Sequence, residues 1–519
     1  MRTNKKIESE NALLIENLIN REDLSYPFKG QVTIELNNEK IQKYDNILVY
    51  DSPKYLPFWY EKLSNFGFSF KYHIVIHFEP EENTELSLPV SHVGVLIFSK
   101  NFKINKVRIP HAYCSFCGET LKDWGGKKHL MHPEGTLISD VWKHLNLSAH
   151  EIIGNRVPDK VYHFFELMFG RVDREVASRE IQQSEDKEIT DTFNFLPDEA
   201  KNKVMLIDLI EGLKELPDNS IDMIFIDPPY NLGKPYANYH DERGDYIDWT
   251  IKWINDCFRV LKPQGSLFYL NIPKWAHEVA YRLIPRFYLQ RWIVWDNQGE
   301  PRGKLIPAHY SILWLSKTAA VKSHYLGNEQ RDYNFCLREK CRKQRKLNGV
   351  NDRVKIRDVR WDIHRIKHAS KRLEHPNQLP EKLLDFLIRL STDKNDIVLD
   401  PMVGTGTTVV VAKNLSRAYL GFEIDPKCVD ISQKRLKGDC LNLFSGQTHT
   451  IKKAFMNKKD IQIKVGELAK QLGRLPDINE VENYLGINQS ELFTIFNSWS
   501  KVLKYAKLME VDESVESRR

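Results

Sequence analysis

The stretch Ile221-Asp222-Met223-Ile224-Phe225-Ile226-Asp227-Pro228-Pro229-Tyr230 constrains the architecture of this chain more than any other. A short apolar run bounded by polar residues reads as a strand buried on both faces of a parallel sheet. The run stops at two prolines, which fix φ and remove two backbone donors, so the chain leaves the sheet stiffly. Asp227 and Tyr230 are thereby held just past the strand's carboxyl end, the edge at which open α/β sheets bind ligands.

A second strand and turn lie downstream, in Asn395-Asp396-Ile397-Val398-Leu399-Asp400-Pro401-Met402-Val403-Gly404-Thr405-Gly406-Thr407-Thr408. The pattern predicts a strand, a glycine turn and a helix from Thr407 to Leu415, then another acid-tipped strand, Ala418 to Glu423. Glycines let backbone approach a ligand closely, and a helix N-terminus offers unpaired N–H groups. Glu423 follows Gly404 by 19 residues, the spacing that places an acid on ribose hydroxyls. A GxG turn by itself also suits NAD, but the third glycine of the dinucleotide fingerprint is replaced by Thr407-Thr408-Val409. With no pyrophosphate to cradle, S-adenosyl-L-methionine is the better fit, its cationic amino acid end facing Asp400. Lys203 to Asp208 reads as one more strand ending in an acid at the same edge, before a helix from Leu209 to Leu216.

An Asp beside a rigid Pro-Pro and an aromatic suits chemistry on the exocyclic amino group of a nucleobase. That nitrogen is conjugated into its ring and is a poor nucleophile. Asp227 accepting one N–H and the Pro228 carbonyl accepting the other would pull it toward tetrahedral geometry, while Tyr230 stacks on a base turned out of its helix. As an isolated tetrapeptide the motif reads equally well as a turn after a core strand.

At 519 residues the chain is long enough for more than one domain. Hydrophobic content of 41% and charged content of 28% describe a soluble globular protein. The first ten residues are too charged for a signal peptide, and no apolar run approaches membrane-spanning length, so a cytoplasmic location without a membrane partner is expected. A net charge of +6 decides little, but Arg331 to Arg372 holds 15 Lys/Arg against 5 Asp/Glu. Lys340, Arg342, Lys343, Arg345 and Lys346 lead this stretch. Arg353, Arg357, Arg360, Arg365, Lys371 and Arg372 follow, with Trp361, His364 and His368 interleaved. Such a run is the electrostatic footprint expected for a nucleic-acid backbone, a solvated charged face being the competing reading.

The chain also repeats itself. Asn46-Ile47-Leu48-Val49-Tyr50-Asp51-Ser52-Pro53-Lys54 lies against Ser266 to Lys274, and Leu88-Pro89 with His92 against Ile306-Pro307 with His309. Asp140-Val141-Trp142 answers Asp358-Val359-Arg360-Trp361, and Asn155 to Lys160 answers Asn377 to Lys382, at offsets between 217 and 222. No Asp-Pro-Pro-Tyr and no Gly-x-Gly occur in the first copy, so it is expected to keep architecture without catalytic machinery. Arg174 to Asp191 reads as a linker or linking helix. Cys114 and Cys117 form a CxxC, and Cys336 and Cys341 fall in the matching region of the other copy. A four-thiolate zinc site joining the copies competes with buried free thiols, the commoner outcome, and no metal is assigned on sequence.

Asp227-Pro228-Pro229-Tyr230, upstream of Leu399 to Thr408, resembles the DNA amino-methyltransferases of the β motif order, in which the catalytic motif precedes the cofactor motif with target recognition between them. His375-Pro376-Asn377-Gln378-Leu379-Pro380 looks like that family's segment before the cofactor strand, although Leu379 stands where many relatives carry Lys, so no cofactor contact is expected there. The resemblance covers roughly Val204 to Leu436. It implies that Asp227, Pro228, Pro229 and Tyr230 act on the flipped base. Asp400, Pro401, Gly404, Gly406, Thr407 and Glu423 would hold S-adenosyl-L-methionine, with Asp208 near its adenine. Lys340, Arg342, Lys343, Arg345, Arg357, Arg360 and Arg365 would meet double-stranded DNA. Asp as first residue of the tetrapeptide is typical of adenine-N6 enzymes, whereas cytosine-N4 members more often begin with Ser.

The resulting expectation is an α/β protein with a doubly wound, seven-stranded Rossmann-like methyltransferase sheet. Residues 1–190 would form a degenerate half-repeat, 195–445 the catalytic domain with a recognition insertion at 331–372, and 450–519 a small helical module. The function implied is adenine-N6 methylation of duplex DNA in a restriction–modification system, a cognate endonuclease acting separately. Cytosine-N4 methylation, and less so RNA methylation, are the alternatives. In the tail, Gly466 to Pro476 and Phe496-Asn497-Ser498-Trp499-Ser500-Lys501-Val502-Leu503 look like a small helical repeat found beside DNA-acting nucleases and methylases, and serve equally well as a packing module.

Overall fold

The computed structural model describes residues 12–81, 88–122, 128–154, 156–184, 194–233, 235–236, 239–297, 303–327, 329–365, 378–438, 458–472, 474–485 and 499–503. They fall into a large unit, Met1–Phe444, and a small one, Ser445–Arg519. Two sheets dominate the large unit. The first comprises β1 (Ala12–Glu16), β2 (Asn46–Asp51), β3 (Ser69–Glu79), β4 (His92–Ser99), β5 (Val141–Ser148) and β6 (Val172–Val176), in the order β5-β3-β4-β2-β1-β6.

The second sheet comprises β7 (Lys203–Leu206), β8 (Ile221–Ile226), β9 (Leu261–Asn271), β10 (Tyr288–Asp296), β11 (His309–Ser316), β12 (Val359–Arg360), β13 (Ile397–Asp400) and β14 (Ala418–Glu423). Its order is β7-β14-β13-β8-β9-β11-β10-β12, and only β11 runs antiparallel to its neighbours. Seven strands were expected. The eighth, β12, is a two-residue strand at the edge, too short for a sequence period to register.

The helices that matter below are α1 (Leu56–Asn65), α2 (Asp159–Phe169), α3 (Leu209–Lys214), α4 (Tyr246–Val260), α5 (Pro273–Leu283), α6 (Glu339–Leu347), α7 (Glu381–Ser391), α8 (Thr407–Asn414) and α9 (Pro426–Lys437). Side chains of β8 alternate between two cores. Ile224 and Ile226 pack with Trp253, Ile254 and Ala276 of α4 and α5; Met223 and Phe225 pack with Leu383 and Leu387 of α7 and Val409 of α8. Helices on both faces explain why this strand has no polar side. Its single acid, Asp222, is satisfied by Lys262 Nζ at 2.8 Å and by the backbone N–H of Ile397 at 2.9 Å, which ties β8 to β13.

The first sheet repeats part of the second. Strands β1 to β6 take the same chain order, spatial order and directions as β8 to β13. The pairing Tyr50↔Val95 in the first answers Leu270↔Ile312 in the second. Contacts between the sheets are reciprocal as well. Asp358 accepts from the Ser91 backbone N–H (2.9 Å) and faces His92 Nδ1 at 3.0 Å; Asp140 accepts from the Ala308 N–H (2.8 Å) and faces His309 Nδ1 at 3.0 Å. Helix α1 packs on α5, and Leu13, Ile47 and Trp59 share one apolar core with Leu289, Trp292 and Val294.

One expectation fails here. Arg174 to Asp191 is not a linker along its described length: β6 forms an edge of the first sheet, and Arg179–Gln183 pairs antiparallel with Gly30–Ile34. Charge on edge strands hides them from a hydrophobic scan. Arg179 is buried between Asp23 at 2.6 Å and Asp51 at 3.1 Å, so the rim of the first sheet is filled by an internal ion pair. Residues 185–191 of that stretch lie outside the described residues, as do His375 to Asn377, His368, Lys371, Arg372 and Phe496 to Ser498.

The small unit holds helices Lys458–Leu472, Ile478–Leu485 and Trp499–Val502. Ile461, Val465, Leu468, Val481 and Val502 are buried together as its core.

Candidate active site at the rim of the second sheet

Four neighbouring parallel strands, β7, β14, β13 and β8, end at one edge of the sheet, and each runs into an acid: Asp208, Glu423, Asp400 and Asp227. Register fixes their proximity. Ile224 pairs with Leu399, Asp400 with Gly421, and Leu206 with Glu423. The Asp-Pro-Pro-Tyr turn and the glycine turn therefore leave adjacent strands, which in any sheet lie about 5 Å apart.

The first turn is held from outside. The Pro229 carbonyl accepts from Tyr246 Oη at 2.7 Å, the Tyr230 carbonyl from Trp275 Nε1 at 2.7 Å, and Asn271 donates to Tyr246 Oη at 2.9 Å. Tyr230 is buried, and its hydroxyl donates to Asp227 Oδ1 at 2.5 Å. Beyond it the aromatic surface continues. Tyr310 lies 5.5 Å from the Tyr230 ring, and Trp295 stacks on Tyr310 at 5.5 Å as a cross-strand pair. Burial pushes the Tyr310 hydroxyl up, and Asp227 adds to the shift. Asn231, at φ +53°, closes the segment after Tyr230 through two hydrogen bonds to the backbone of Arg243.

The second turn is a cradle of backbone and carboxylate. Gly406 caps α8 at φ +85°, and a Cβ there would stand 2.6 Å from that of Ser432, so only glycine fits. Glu423 accepts from the N–H groups of Gly404 (2.8 Å), Ile424 (3.0 Å) and Asp425 (2.9 Å). Its carboxyl is pushed up chiefly by burial. Asp400 is buried, accepts from Thr408 Oγ1 at 2.6 Å and the Met402 N–H at 3.0 Å, and is pushed up to about 7, first by burial and further by Glu423. Pro401 is buried beside it, and Thr407 opens α8, its hydroxyl accepting from Arg435 at 3.2 Å. Asp208 is more exposed and caps α3 through the Ile210 N–H at 2.8 Å. Half-exposed Ile424 places an apolar side chain directly after Glu423. A rim of acids partly stripped of water favours a cationic ligand, and carboxylates at backbone turns suit hydroxyl donors.

The cationic insertion is sorted differently from its charge count. Arg345 is 1% exposed and donates to Asp352 at 2.9 Å; Arg360 pairs with Asp362 and lies 3.9 Å over the Phe386 ring; Arg357 reaches Glu79 of the first sheet at 2.8 Å. These three, expected to meet DNA, are internal braces: Arg345 and Arg360 are paired with acids from the same stretch, Asp352 and Asp362, and Arg357 with Glu79 from outside it. Lys340, Arg342, Lys343 and Lys346 are exposed on α6. Arg365 is half-buried close enough to Tyr310 to act on its hydroxyl.

Sequence reasoning missed Tyr246, Trp275, Tyr310 and Thr408. A usable signal existed for two of them: Trp275 and Thr408 each lie within the first turn of a helix entered directly from the rim. Tyr310 answers to nothing but the cross-strand register.

A family described as DNA methylase matches residues 221–434. The type II methyltransferase M.BamHI of Bacillus amyloliquefaciens is 37% identical over 44% of this chain and 56% of its own length, so the chain spans about half of that relative. M.HpaI of Haemophilus parainfluenzae is 32% identical over 44% of this chain and 72% of its own. The DNA adenine methyltransferase YhdJ of Escherichia coli is 31% identical over 44% and 80%. Among solved structures, the cytosine-N4-specific PvuII DNA methyltransferase aligns over 55% of this chain and 92% of its own, at 20% identity and a TM-score of 0.35.

Proposed function

This chain belongs to the DNA methylase family, and from that premise we propose that it methylates the N6 amino group of adenine in double-stranded DNA, using S-adenosyl-L-methionine, as part of a restriction–modification system. The observation carrying this reading is the adjacency of the Asp227–Tyr230 turn to the glycine turn, through the pairing of Ile224 with Leu399. The residues fit the cofactor. Asp400 is a buried acid that a cation would satisfy and Glu423 a half-buried one suited to ribose hydroxyls, Gly406 lets backbone approach, and Ile424 offers an apolar face to adenine. When bound, that cofactor supplies a methyl group activated on a sulfonium.

The chain's own part is positioning. Asp227 accepts an N–H of the flipped adenine's amino group, and the Pro228 carbonyl accepts the other, giving the nitrogen a usable lone pair. Tyr230 must release Asp227 for this, exchanging its hydroxyl contact for a stacking one against the base. Tyr310 and Trp295 back that stack. The amine proton then leaves through Asp227 to solvent. Unstacking the base costs a few kcal/mol, which contacts of α6 and Arg365 with the phosphate backbone would offset. The half-repeat, residues 1–190, supplies a second recognition surface without chemistry, since the ion pair of Asp51 with Arg179 occupies its rim.

Nucleoside analysis of duplex DNA methylated with labelled cofactor tests the base. N6-methyladenine is expected; label in N4-methylcytosine would overturn the choice of adenine, and label in RNA alone would overturn DNA as substrate.

A further inference from the structure

Four cysteines that the catalytic reading does not use meet where the two halves of the large unit join. Cys114 and Cys117 come from the segment after the first sheet's β4, Cys336 and Cys341 from the loop before α6 and its first turn. Their sulfurs all lie within 4.8 Å of one another. Cys114 is 3.9 Å from Cys341 and Cys117 is 3.7 Å from Cys336. A tetrahedral ion with metal–sulfur bonds of about 2.3 Å has sulfur–sulfur edges of about 3.8 Å. A disulfide would need about 2.05 Å.

The surroundings suit thiolates. The Cys336 backbone N–H points at Cys114 Sγ (3.4 Å) and Arg345 donates to Cys341 Sγ (2.9 Å), and donors of this kind favour charged sulfur. Phe116, Leu121 and Phe335 form an apolar collar. The spacings, two residues within the first pair and four within the second, are those of zinc-binding pairs. Four thiolates so close repel one another unless a cation joins them.

We infer that Cys114, Cys117, Cys336 and Cys341 bind one zinc ion that clasps the non-catalytic half to the recognition insertion. With four protein ligands the site is closed, so its role is structural. Cys341 lies in the first turn of α6, and Arg345 one turn later braces the same sulfur. The ion thus sets the position of the helix that displays Lys340, Arg342, Lys343 and Lys346. This last step rests on the reading of α6 as a DNA contact; the metal site itself does not.

Metal analysis of the full chain, purified without chelator, should find about one zinc per polypeptide. Cobalt exchanged into the wild-type chain should show sulfur-to-metal charge transfer and the visible bands of tetrahedral cobalt. Cys117→Ser and Cys341→Ser should lose the ion, Cys257→Ser should keep it, and Arg345→Ala should weaken affinity about tenfold or more. Asp227→Ala should retain zinc while losing methyl transfer, so failure of the catalytic reading and failure of this one appear separately. A wild-type chain that carries no zinc and gives no cobalt–thiolate spectrum, or that shows Cys114–Cys341 and Cys117–Cys336 disulfides on mapping, overturns the inference.

Discussion

Asp227 and Asp400 sit one strand apart, yet their environments prepare them for different work. Asp227 is half-exposed and partnered by Tyr230, whereas Asp400 is buried and pushed from its ordinary 3.8 to about 7. An acid whose folded value is raised holds extra protons in the folded chain, so between about 4 and 7 its contribution to stability falls as pH rises. A bound cation reverses the preference and expels the proton. Affinity for S-adenosyl-L-methionine should therefore tighten as pH rises toward 7, by up to about tenfold per unit, and level off above it. Calorimetry in buffers of different ionisation enthalpy should register the released proton, and Asp400→Asn should flatten the profile. An affinity independent of pH in the wild-type chain would contradict this assignment. At this scale the acids and glycines of the rim were legible, because motif and spacing name them. Arg345, Arg357 and Arg360 were not: Glu79 meets Arg357 only through the fold, and a summed charge does not show that Arg345 and Arg360 are paired with the nearby Asp352 and Asp362.

At the scale of elements, the glycine turn and α6 make separate demands. Gly406→Ala forces a side chain into φ +85° and against Ser432, a strain of order 1–3 kcal/mol. Thermal unfolding should fall accordingly, and cofactor affinity should fall with it; unchanged affinity would mean that the turn does not touch the ligand. Helix α6 should act through charge. Changing Lys340, Arg342, Lys343 and Lys346 to Gln should weaken DNA binding and make the slope of log affinity against log salt shallower by about 0.9 for each phosphate no longer neutralised. A slope equal to that of the wild type would place the DNA elsewhere. Strands buried on both faces, such as β8 and β13, were readable from apolar runs. Strands β6 and Arg179–Gln183 escaped because charged residues dominate these edge strands, Arg179 being paired inward with Asp23 and Asp51, and β12 because two residues carry no period.

For the molecule as a whole, repeated segments at an offset near 220 residues turn into two sheets with the same strand order and directions, joined by reciprocal Asp140–His309 and Asp358–His92 contacts. Sequence comparison exposes such a repeat but not the core its halves share. Because Leu13, Ile47 and Trp59 pack with Leu289 and Trp292, removing residues 1–190 should strip the second sheet of its cover, giving an aggregating chain. Acid should separate the halves. His73 faces His277, His309 and His92, and His77 faces Arg357, Lys143 and His92; burial holds His73, His77 and His277 below the ordinary 6.5. Groups with depressed values take up protons on unfolding, so stability should drop by up to about 1.4 kcal/mol per histidine for each pH unit below 6.5. Denaturant melts from pH 8 to pH 5 should show the decline, and His277→Gln should reduce it.

The most direct test of the central claim is a single-turnover methyl-transfer measurement on Asp227→Ala, alongside its binding of cofactor and duplex DNA. The convergence of the two turns predicts a rate lower by roughly a thousandfold, the scale of removing one hydrogen bond that stabilises a transition state, with both affinities within a few fold of the wild type. Transfer at the wild-type rate would show that the amine is activated elsewhere.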